Sequence, residues 1–178
     1  MNRPVDIMEE KVRQFLDANF KDAVIREDNF RDQQSFYVDR DYIFELLDSL
    51  RGDRNLEFNL LADICSLDWM GQPEEKEGRF EVIYNLYSIK NKYRLLIKVR
   101  LSGDDPVIDT VTPIWQTANW LEREVWDMMG IKFSGHPNLI KIVTPEFLDG
   151  HPLRKDFPLT YEVPRFSYNM KEPPEVIK

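Results

Sequence analysis

Two segments in the first third of the chain place apolar residues at helical spacing. They predict amphipathic helices, one over residues 5–19 and a second that begins at the N-cap Asp39 and ends at Gly52. Short strands are predicted at residues 23–27 and 34–38. The apolar positions are Val5, Met8, Val12, Phe15 and Leu16 in the first helix, and Ile43, Leu46, Leu47 and Leu50 in the second.

Apolar and polar residues then alternate in three segments, a pattern that predicts β-strands. Ile89 to Lys92 is short enough to join the last two strands as a hairpin. We therefore predict an α+β fold with a mainly antiparallel sheet and helices packed on one face, the other face being solvated. The alternating apolar positions are Phe58, Leu60, Ala62 and Ile64, then Phe80, Val82, Tyr84 and Leu86, then Leu95, Ile97, Val99 and Leu101.

The character of the chain changes after Pro106. Thr112-Pro113 is expected to open a short helical turn, and a further helix is predicted from Asn119 to Met129. The last 34 residues contain six of the 11 prolines together with five aromatic residues. Because prolines prevent long helices and linkers are poor in aromatics, we expect this tail to lie on its own domain or on a partner. The predicted division is a domain over residues 1–130 and an extended, partner-binding tail over residues 131–178.

Charge and cysteine content exclude several classes of function. The formal net charge of −8 disfavours binding to nucleic acid or to an acidic membrane surface. The single cysteine, Cys65, cannot form an internal disulfide or hold an iron–sulfur cluster by itself, and its apolar neighbours predict a small buried side chain. No apolar stretch is long enough to span a membrane, and the early acidic residues Asp6, Glu9 and Glu10 are atypical of a targeting peptide, so a reducing cytoplasm is expected.

Candidate chemistry concentrates in the predicted third helix, residues 119–129. Arg123 and Asp127 are four residues apart and are expected to pair. The charged face could be simply solvated, or it could meet a partner, since Trp120 and Trp126 are costly to expose. Spacing alone leaves both alternatives open.

A metal site is the competing interpretation of the same segment. Glu122, Glu124, Asp127 and His136, with His151 as a second imidazole, would be its ligands in a free-standing hydrolase. Glu122 and Glu124 point about 200° apart on a helix and cannot share one ion. Both histidines lie in Gly-His-Pro turns, and the HExxH arrangement is missing from the sequence, so metal binding is disfavoured.

The same residues carry a family resemblance. Glu122-Arg123-Glu124, Asp127-Met128-Met129 and His136 resemble the signature of the 30-kDa subunit family of respiratory complex I, whose bacterial members are designated C. The stretch from Gly150 to Leu159 is similar to the family's second recognisable segment, and the similarity extends upstream to about Phe30. One departure is Ile140, where the family pattern has a basic residue or proline; the neighbouring Lys141 is expected to supply the charge.

The resemblance implies a structural subunit in the peripheral arm of NADH-quinone oxidoreductase, on the cytoplasmic side of the bacterial inner membrane. It implies that FMN, iron–sulfur clusters and quinone belong to partner subunits, and that this chain holds no cofactor, no metal and no catalytic residue. The expected closest partner is the complex I subunit designated D, which lies near the quinone-binding region and which we call the quinone-proximal subunit. The subunit designated B and other peripheral-arm subunits are expected nearby.

Two further expectations come with the resemblance. The equivalent subunit of a membrane-bound hydrogenase or of another donor:quinone oxidoreductase is the alternative to a place in NADH-quinone oxidoreductase. The expected interface residues are Glu122, Arg123, Glu124, Asp127, His136, Arg154, Lys155 and Asp156.

Overall fold

The computed structural model of the chain describes residues 4–31 and 33–160, with side chains from residue 7 onward. Three α-helices and seven strands alternate along these residues, with 3-10 turns at Arg40–Tyr42 and Pro73–Glu77. In chain order the elements are α1 (Pro4–Asn19), β1 (Val24–Phe30), β2 (Gln33–Val38), α2 (Ile43–Gly52), β3 (Leu60–Asp68), β4 (Phe80–Ser88), β5 (Tyr93–Leu101), β6 (Val107–Asp109), α3 (Ala118–Met129) and β7 (Lys132–Ser134).

The main sheet has five strands in the order β1-β2-β5-β4-β3. All neighbouring strands are antiparallel except β2 and β5, which run parallel. The parallel pair arises because α2, β3 and β4 intervene between β2 and β5 in the chain, so that β5 returns to the middle of the sheet. The predicted α+β class with a mainly antiparallel sheet is confirmed.

The hydrophobic core lies on one face of this sheet. The inward side chains of β4 and β5, such as Tyr84 and Ile97, are fully buried there, together with Val12 of α1, Leu47 of α2 and Val125 of α3. All three helices therefore share a core with the same sheet face. Side chains at the intervening positions of β4 and β5 project from the opposite face, where Glu81 is buried, Arg94 is exposed and the others are partly exposed.

Strand β3 departs from the predicted pattern. Its register with β4 shifts between Leu61 and Asp63, so that Leu61 and Ile64 are buried while Leu60 and Ala62 are exposed. The prediction that Leu60 and Ala62 face inward is wrong, because a β-bulge moves the side-chain alternation by one residue. Cys65, predicted to be buried, is exposed, because it follows the inward-facing Ile64 and projects from the opposite face of the strand.

Helix α3 ends as predicted and leads into an element that the pattern did not predict. Gly130 adopts φ +73°, a left-handed conformation that stops the helix. The chain then forms β7, which pairs in parallel with β6 as a separate two-stranded sheet. Ile131 and Phe133 are buried in the core, so the packed domain continues beyond the predicted boundary at residue 130.

The remainder of the predicted tail divides into two parts. Residues 135–160 form turns and bends without a further helix or strand, and they lie against the domain through the contacts described below. Thr112-Pro113 likewise begins turns and no helix. Residues 161–178, which contain Tyr161, Phe166 and Tyr168, lie outside the described residues.

Candidate functional site on helix α3

Glu122 is a fully buried carboxylate on the inner face of α3. Its Oε1 accepts a hydrogen bond of 2.7 Å from the backbone N–H of Val111, and its Oε2 accepts one of 2.5 Å from the hydroxyl of Thr110. Burial raises the pKa of Glu122 from 4.5 to about 6, although these hydrogen bonds oppose the rise. The side chain thus ties the loop after β6 to the helix.

His136 lies beside Glu122 and is held as a neutral imidazole. Its Nδ1 accepts a hydrogen bond of 3.1 Å from the N–H of Asn138, which leaves the ring proton on Nε2 to be donated to the carbonyl of Asn119 at 3.2 Å. Burial and the nearby Arg123 lower the pKa of His136. Although Nε2 is 3.9 Å from Glu122 Oε2, this pair is not a salt bridge at neutral pH.

Asp127 is the second buried carboxylate of α3, one turn and a half after Glu122. Its Oδ2 accepts three backbone N–H groups at 2.8–3.0 Å, those of Ile142, Val143 and Thr144, and its Oδ1 accepts the Thr144 hydroxyl. Burial alone would raise the pKa of Asp127, but these hydrogen bonds outweigh burial and leave the pKa below its ordinary value. One carboxylate therefore fixes three consecutive residues of the segment after β7, residues 135–160, against the helix.

Arg123 does not form the predicted pair with Asp127. Its Nε donates to the carbonyl of Ile140 at 3.1 Å, and its guanidinium lies 4.8 Å from the ring centroid of the exposed Trp120. Both residues of the expected pair are thus directed to the segment after β7. The contact to Ile140 involves only its backbone, so the loss of the family's basic side chain at this position does not alter it.

A further cluster holds the end of the segment. Arg154 donates from Nε to the carbonyl of Met129 at 2.6 Å, and His151 Nδ1 lies 2.9 Å from the backbone oxygen of Asp127. The N–H of Lys155 donates to Asp68 of β3 at 2.9 Å. Arg79 bridges Asp68 and Asp156, both at 2.9 Å.

Asp68 is the acceptor at the centre of this cluster. Burial opposes its ionisation, but the hydrogen bonds from Arg79, Lys155 and Met70 lower the pKa of Asp68 to about 2. It is therefore charged at neutral pH. The family resemblance did not single out Asp68 or Arg79, which are far from the helix in sequence and become neighbours only through the hairpin-like return of β4.

The contacts divide the eight predicted interface residues into two groups. Glu122, Arg123 and Asp127 are buried and engaged within the chain, as are both ring nitrogens of His136 and the Nε of Arg154. Glu124, Lys155 and Asp156 are exposed. Direct contact of these eight residues with a partner stays a prediction, and the first group is placed to support such a contact from behind.

The segment that these residues hold presents apolar side chains to solvent. Trp120 of α3 is 63% exposed, and four apolar residues of the segment are at least half exposed. We name this area the helix-α3 surface; it consists of Trp120, Ile140, Val143, Phe147 and Leu153. Large exposed apolar side chains such as these are candidates for a protein–protein contact.

The side chains of this site are poorly placed to bind a metal ion. Glu122 is buried and Glu124 exposed on opposite sides of α3, as the helical geometry predicted. Within residues 4–31 and 33–160, no group of three His, Cys, Asp or Glu side chains is placed to hold a metal. The histidines instead bind backbone groups.

The sequence profile of the family described as respiratory-chain NADH dehydrogenase, 30 Kd subunit, matches residues 36–163. The chain belongs to this family. An NADH-quinone oxidoreductase subunit of Roseiflexus sp. (strain RS-1), designated C, is 42% identical over 154 residues, which cover 86% of each protein. Its counterpart in Rhizobium meliloti (strain 1021), designated C 2, is 50% identical over 125 residues, 70% of this chain and 66% of that protein.

A solved structure shares the fold as well. The trypsin-resistant fragment of Nqo5 superposes with a TM-score of 0.62 at 33% identity, covering 74% of this chain and 99% of the fragment. The resemblance in sequence and the match in structure agree on the 30-kDa subunit family. Among the helices of the described residues, none has the length and apolar character needed to cross a membrane.

Replacing Asp127 by Asn should loosen the segment from α3, because a neutral amide oxygen is a weaker acceptor for the three backbone N–H groups and an NH2 group replaces the oxygen that accepts the Thr144 hydroxyl. We expect Asp127→Asn to lower the free energy of unfolding by about 2 to 3 kcal/mol, the loss of a charge-assisted hydrogen-bond set. Urea unfolding measures this. Glu124→Gln, an exposed change on the same helix, is the control and should stay within about 0.5 kcal/mol; equal effects of the two changes would contradict the assignment.

Glu122 should give the protein a measurable dependence of stability on pH. Its pKa is about 6 in the folded chain and 4.5 when unperturbed, so between these values the folded state binds more protons than the unfolded state. Its contribution is therefore fully present below about pH 4.5 and is lost as pH rises through 6, a change of about 2 kcal/mol. The difference in unfolding free energy between wild type and Glu122→Gln should show this slope, and a constant difference from pH 4.5 to 7 would rule it out.

Proposed function

We propose that this chain is a cofactor-free scaffold subunit of an NADH-quinone oxidoreductase, and that it binds the quinone-proximal subunit through the helix-α3 surface. Family membership supports a place in such an enzyme complex, since the matching relatives are named as its subunits. The observation that carries the scaffold role is that the charged residues of α3 fix a loop segment and expose its apolar side chains. These residues build a surface and form no reaction centre.

The proposed absence of a cofactor rests on the available ligands. FMN, the iron–sulfur clusters and quinone would belong to partner subunits, because a single exposed cysteine cannot hold a cluster. Both ring nitrogens of His136 and the Nδ1 of His151 are taken by backbone groups. Purified alone, the chain should show no flavin or cluster absorption; a visible band that survives gel filtration would contradict this.

The partners and location follow from the proposed role. The quinone-proximal subunit, designated D, would contact the helix-α3 surface, and the subunit designated B and the other peripheral-arm subunits would lie nearby. The assembly would sit on the cytoplasmic side of the bacterial inner membrane and couple electron transfer from NADH to quinone with proton translocation. The exposed residues Glu124, Lys155 and Asp156 would contact a partner directly, whereas the buried Glu122 and Asp127 would act by holding the segment in place.

A second candidate differs in the electron acceptor. A structure titled membrane-bound sulfane sulfur reductase, an archaeal respiratory membrane complex, superposes with a TM-score of 0.66 at 28% identity, covering 85% of this chain and 86% of its own. The same scaffold could therefore serve a complex with a different acceptor. Assaying the purified assembly for NADH oxidation with quinone as the acceptor, and for reduction of sulfane sulfur compounds, distinguishes the two.

Trp120→Ala should weaken association with the quinone-proximal subunit without destabilising the fold. The side chain is 63% exposed in the isolated chain, so its loss should change the unfolding free energy by no more than about 0.5 kcal/mol. A buried aromatic anchor at an interface typically contributes about 2 kcal/mol or more, which corresponds to a loss of affinity above tenfold. The affinity is measured by titrating the quinone-proximal subunit with wild-type or Trp120→Ala chain, after co-expression has shown that the two subunits associate.

The control for this experiment is Ile89→Ala, an equally exposed apolar residue at the tip of the β4–β5 hairpin. It should leave association unchanged. If Trp120→Ala and Ile89→Ala bind the quinone-proximal subunit as tightly as the wild type, the helix-α3 surface is not the contact.

A further inference from the structure

Arg123 carries a buried positive charge that has no counter-ion within the described part of the chain. It is the only arginine or lysine among the buried residues there, and no carboxylate of the same residues lies within salt-bridge distance of it. Buried charges are normally paired, because leaving water is costly for an ion. The buried acids, by contrast, each have an arginine or several N–H and hydroxyl donors; they are Asp68, Glu81, Glu122 and Asp127.

The hydrogen-bonding capacity of Arg123 is also mostly unused. Of its N–H donors, Nε alone has an acceptor, the carbonyl of Ile140 at 3.1 Å. The terminal nitrogens Nη1 and Nη2 have no acceptor among residues 4–31 and 33–160, and neither belongs to the unpaired side-chain atoms that are closed off from solvent. They form a donor edge that reaches the surface, although the residue as a whole is only 7% exposed.

This donor edge opens within the helix-α3 surface. The guanidinium carbon lies 4.8 Å from the ring centroid of Trp120, and Nε is bound to the backbone of Ile140, so the charge lies between two members of that surface. Both side chains are more than half exposed. A partner that covers them would take the solvent away from Nη1 and Nη2. Because an unpaired charge at a buried interface is strongly unfavourable, that partner must itself present an acceptor to Arg123.

We propose that Arg123 is the polar anchor of the helix-α3 surface and binds the carboxylate of an aspartate or glutamate side chain of the quinone-proximal subunit. A carboxylate matches a guanidinium in charge and in shape, since its two oxygens can accept from Nη1 and Nη2 side by side. Glu124, the next residue of α3, points about 100° away around the helix and does not fill this place. The proposal rests on the proposed function, because it takes the quinone-proximal subunit to cover the helix-α3 surface.

Arg123 thereby serves both sides of the surface. Its Nε holds the segment after β7 through Ile140, and its terminal nitrogens select what the partner brings. The ring of Trp120 stands beside the guanidinium and would shield the ion pair from water. Such a shielded pair in an apolar surround is typical of the residues that dominate an interface.

Two substitutions at Arg123 test the proposal in the complex of the two subunits. Neither Arg123→Lys nor Arg123→Gln has an Nε donor, so both share any loosening of the segment, and only Arg123→Lys keeps the charge. We expect Arg123→Gln to bind the quinone-proximal subunit at least about tenfold more weakly than the wild type, with Arg123→Lys between them. Titration of the purified subunits measures the affinities. Arg54→Gln, an exposed change in the loop after α2, is the control and should bind as the wild type does.

A scan of the partner's acids identifies the carboxylate. Each aspartate or glutamate of the quinone-proximal subunit is changed to its amide and titrated with wild-type chain and with Arg123→Gln. One such change should weaken binding of the wild type about tenfold and have little further effect on Arg123→Gln, because the two substitutions remove the same ion pair.

Three results would overturn the proposal. The first is equal affinity of Arg123→Lys and Arg123→Gln, which would show that the partner does not recognise the charge. The second is a scan in which every change acts equally on wild type and Arg123→Gln. The third is that deleting residues 161–178, which contain three glutamates, lowers the melting temperature of the wild type but not of Arg123→Gln, so that this chain supplies the anion itself.

Trp120→Ala separates these results from a failure of the proposed function. If the quinone-proximal subunit covers the helix-α3 surface without a carboxylate at Arg123, Trp120→Ala still weakens binding while the charge at residue 123 has no effect. If that subunit does not bind the surface, neither Trp120→Ala nor Arg123→Gln changes the affinity.

Discussion

Two carboxylates buried on one amphipathic helix are the constraint on which the rest of this structure depends. Glu122 and Asp127 have no exposed surface and no lysine or arginine partner within the described residues, so backbone N–H and hydroxyl groups must satisfy them. Only loops that fold over the helix can bring such donors. The loop after β6 serves Glu122, and the segment after β7 serves Asp127, so both connections are fixed to α3 without a helix or strand of their own.

In the proposed function, this constraint is how a charged motif would contribute to assembly. Charged residues in a helix are usually expected to face solvent or a partner, yet here the acids and Arg123 bind the protein's own backbone. These hydrogen bonds offset the conformational entropy that is lost when the proline-rich segment becomes ordered. The segment could not bury its own apolar side chains. In the proposed function, the result of that ordering is what would contact a partner, a preformed apolar surface that includes Trp120 and Phe147.

Much of the fold could be predicted from the sequence because helices and strands have distinct periods. The end of α3 at Gly130, the β4–β5 hairpin and the helices on one face followed from apolar spacing and turn residues. The bulge in β3 could not, since one inserted residue reverses the alternation before it and exposes Leu60 and Ala62 without changing composition. The short parallel pair of β6 and β7 joins segments more than 20 residues apart, and three-residue strands carry too little pattern to be recognised.

The candidate site was located in the sequence more accurately than it was interpreted. The motif identified Glu122, Arg123 and Asp127, but the expected Arg123–Asp127 pair assumed a local contact, and the actual partners of these two residues are 15 to 17 residues away.

Hydrogen exchange at the amides of Ile142, Val143 and Thr144 in the isolated chain tests the central claim most directly. These residues lie outside any helix or strand, so their protection can come only from the Asp127 carboxylate. The account predicts that they exchange slowly, with protection comparable to that of the amides within α3. Exchange at the rate of an unfolded chain, while α3 itself remains protected, would contradict the claim that this helix holds the segment before any partner binds.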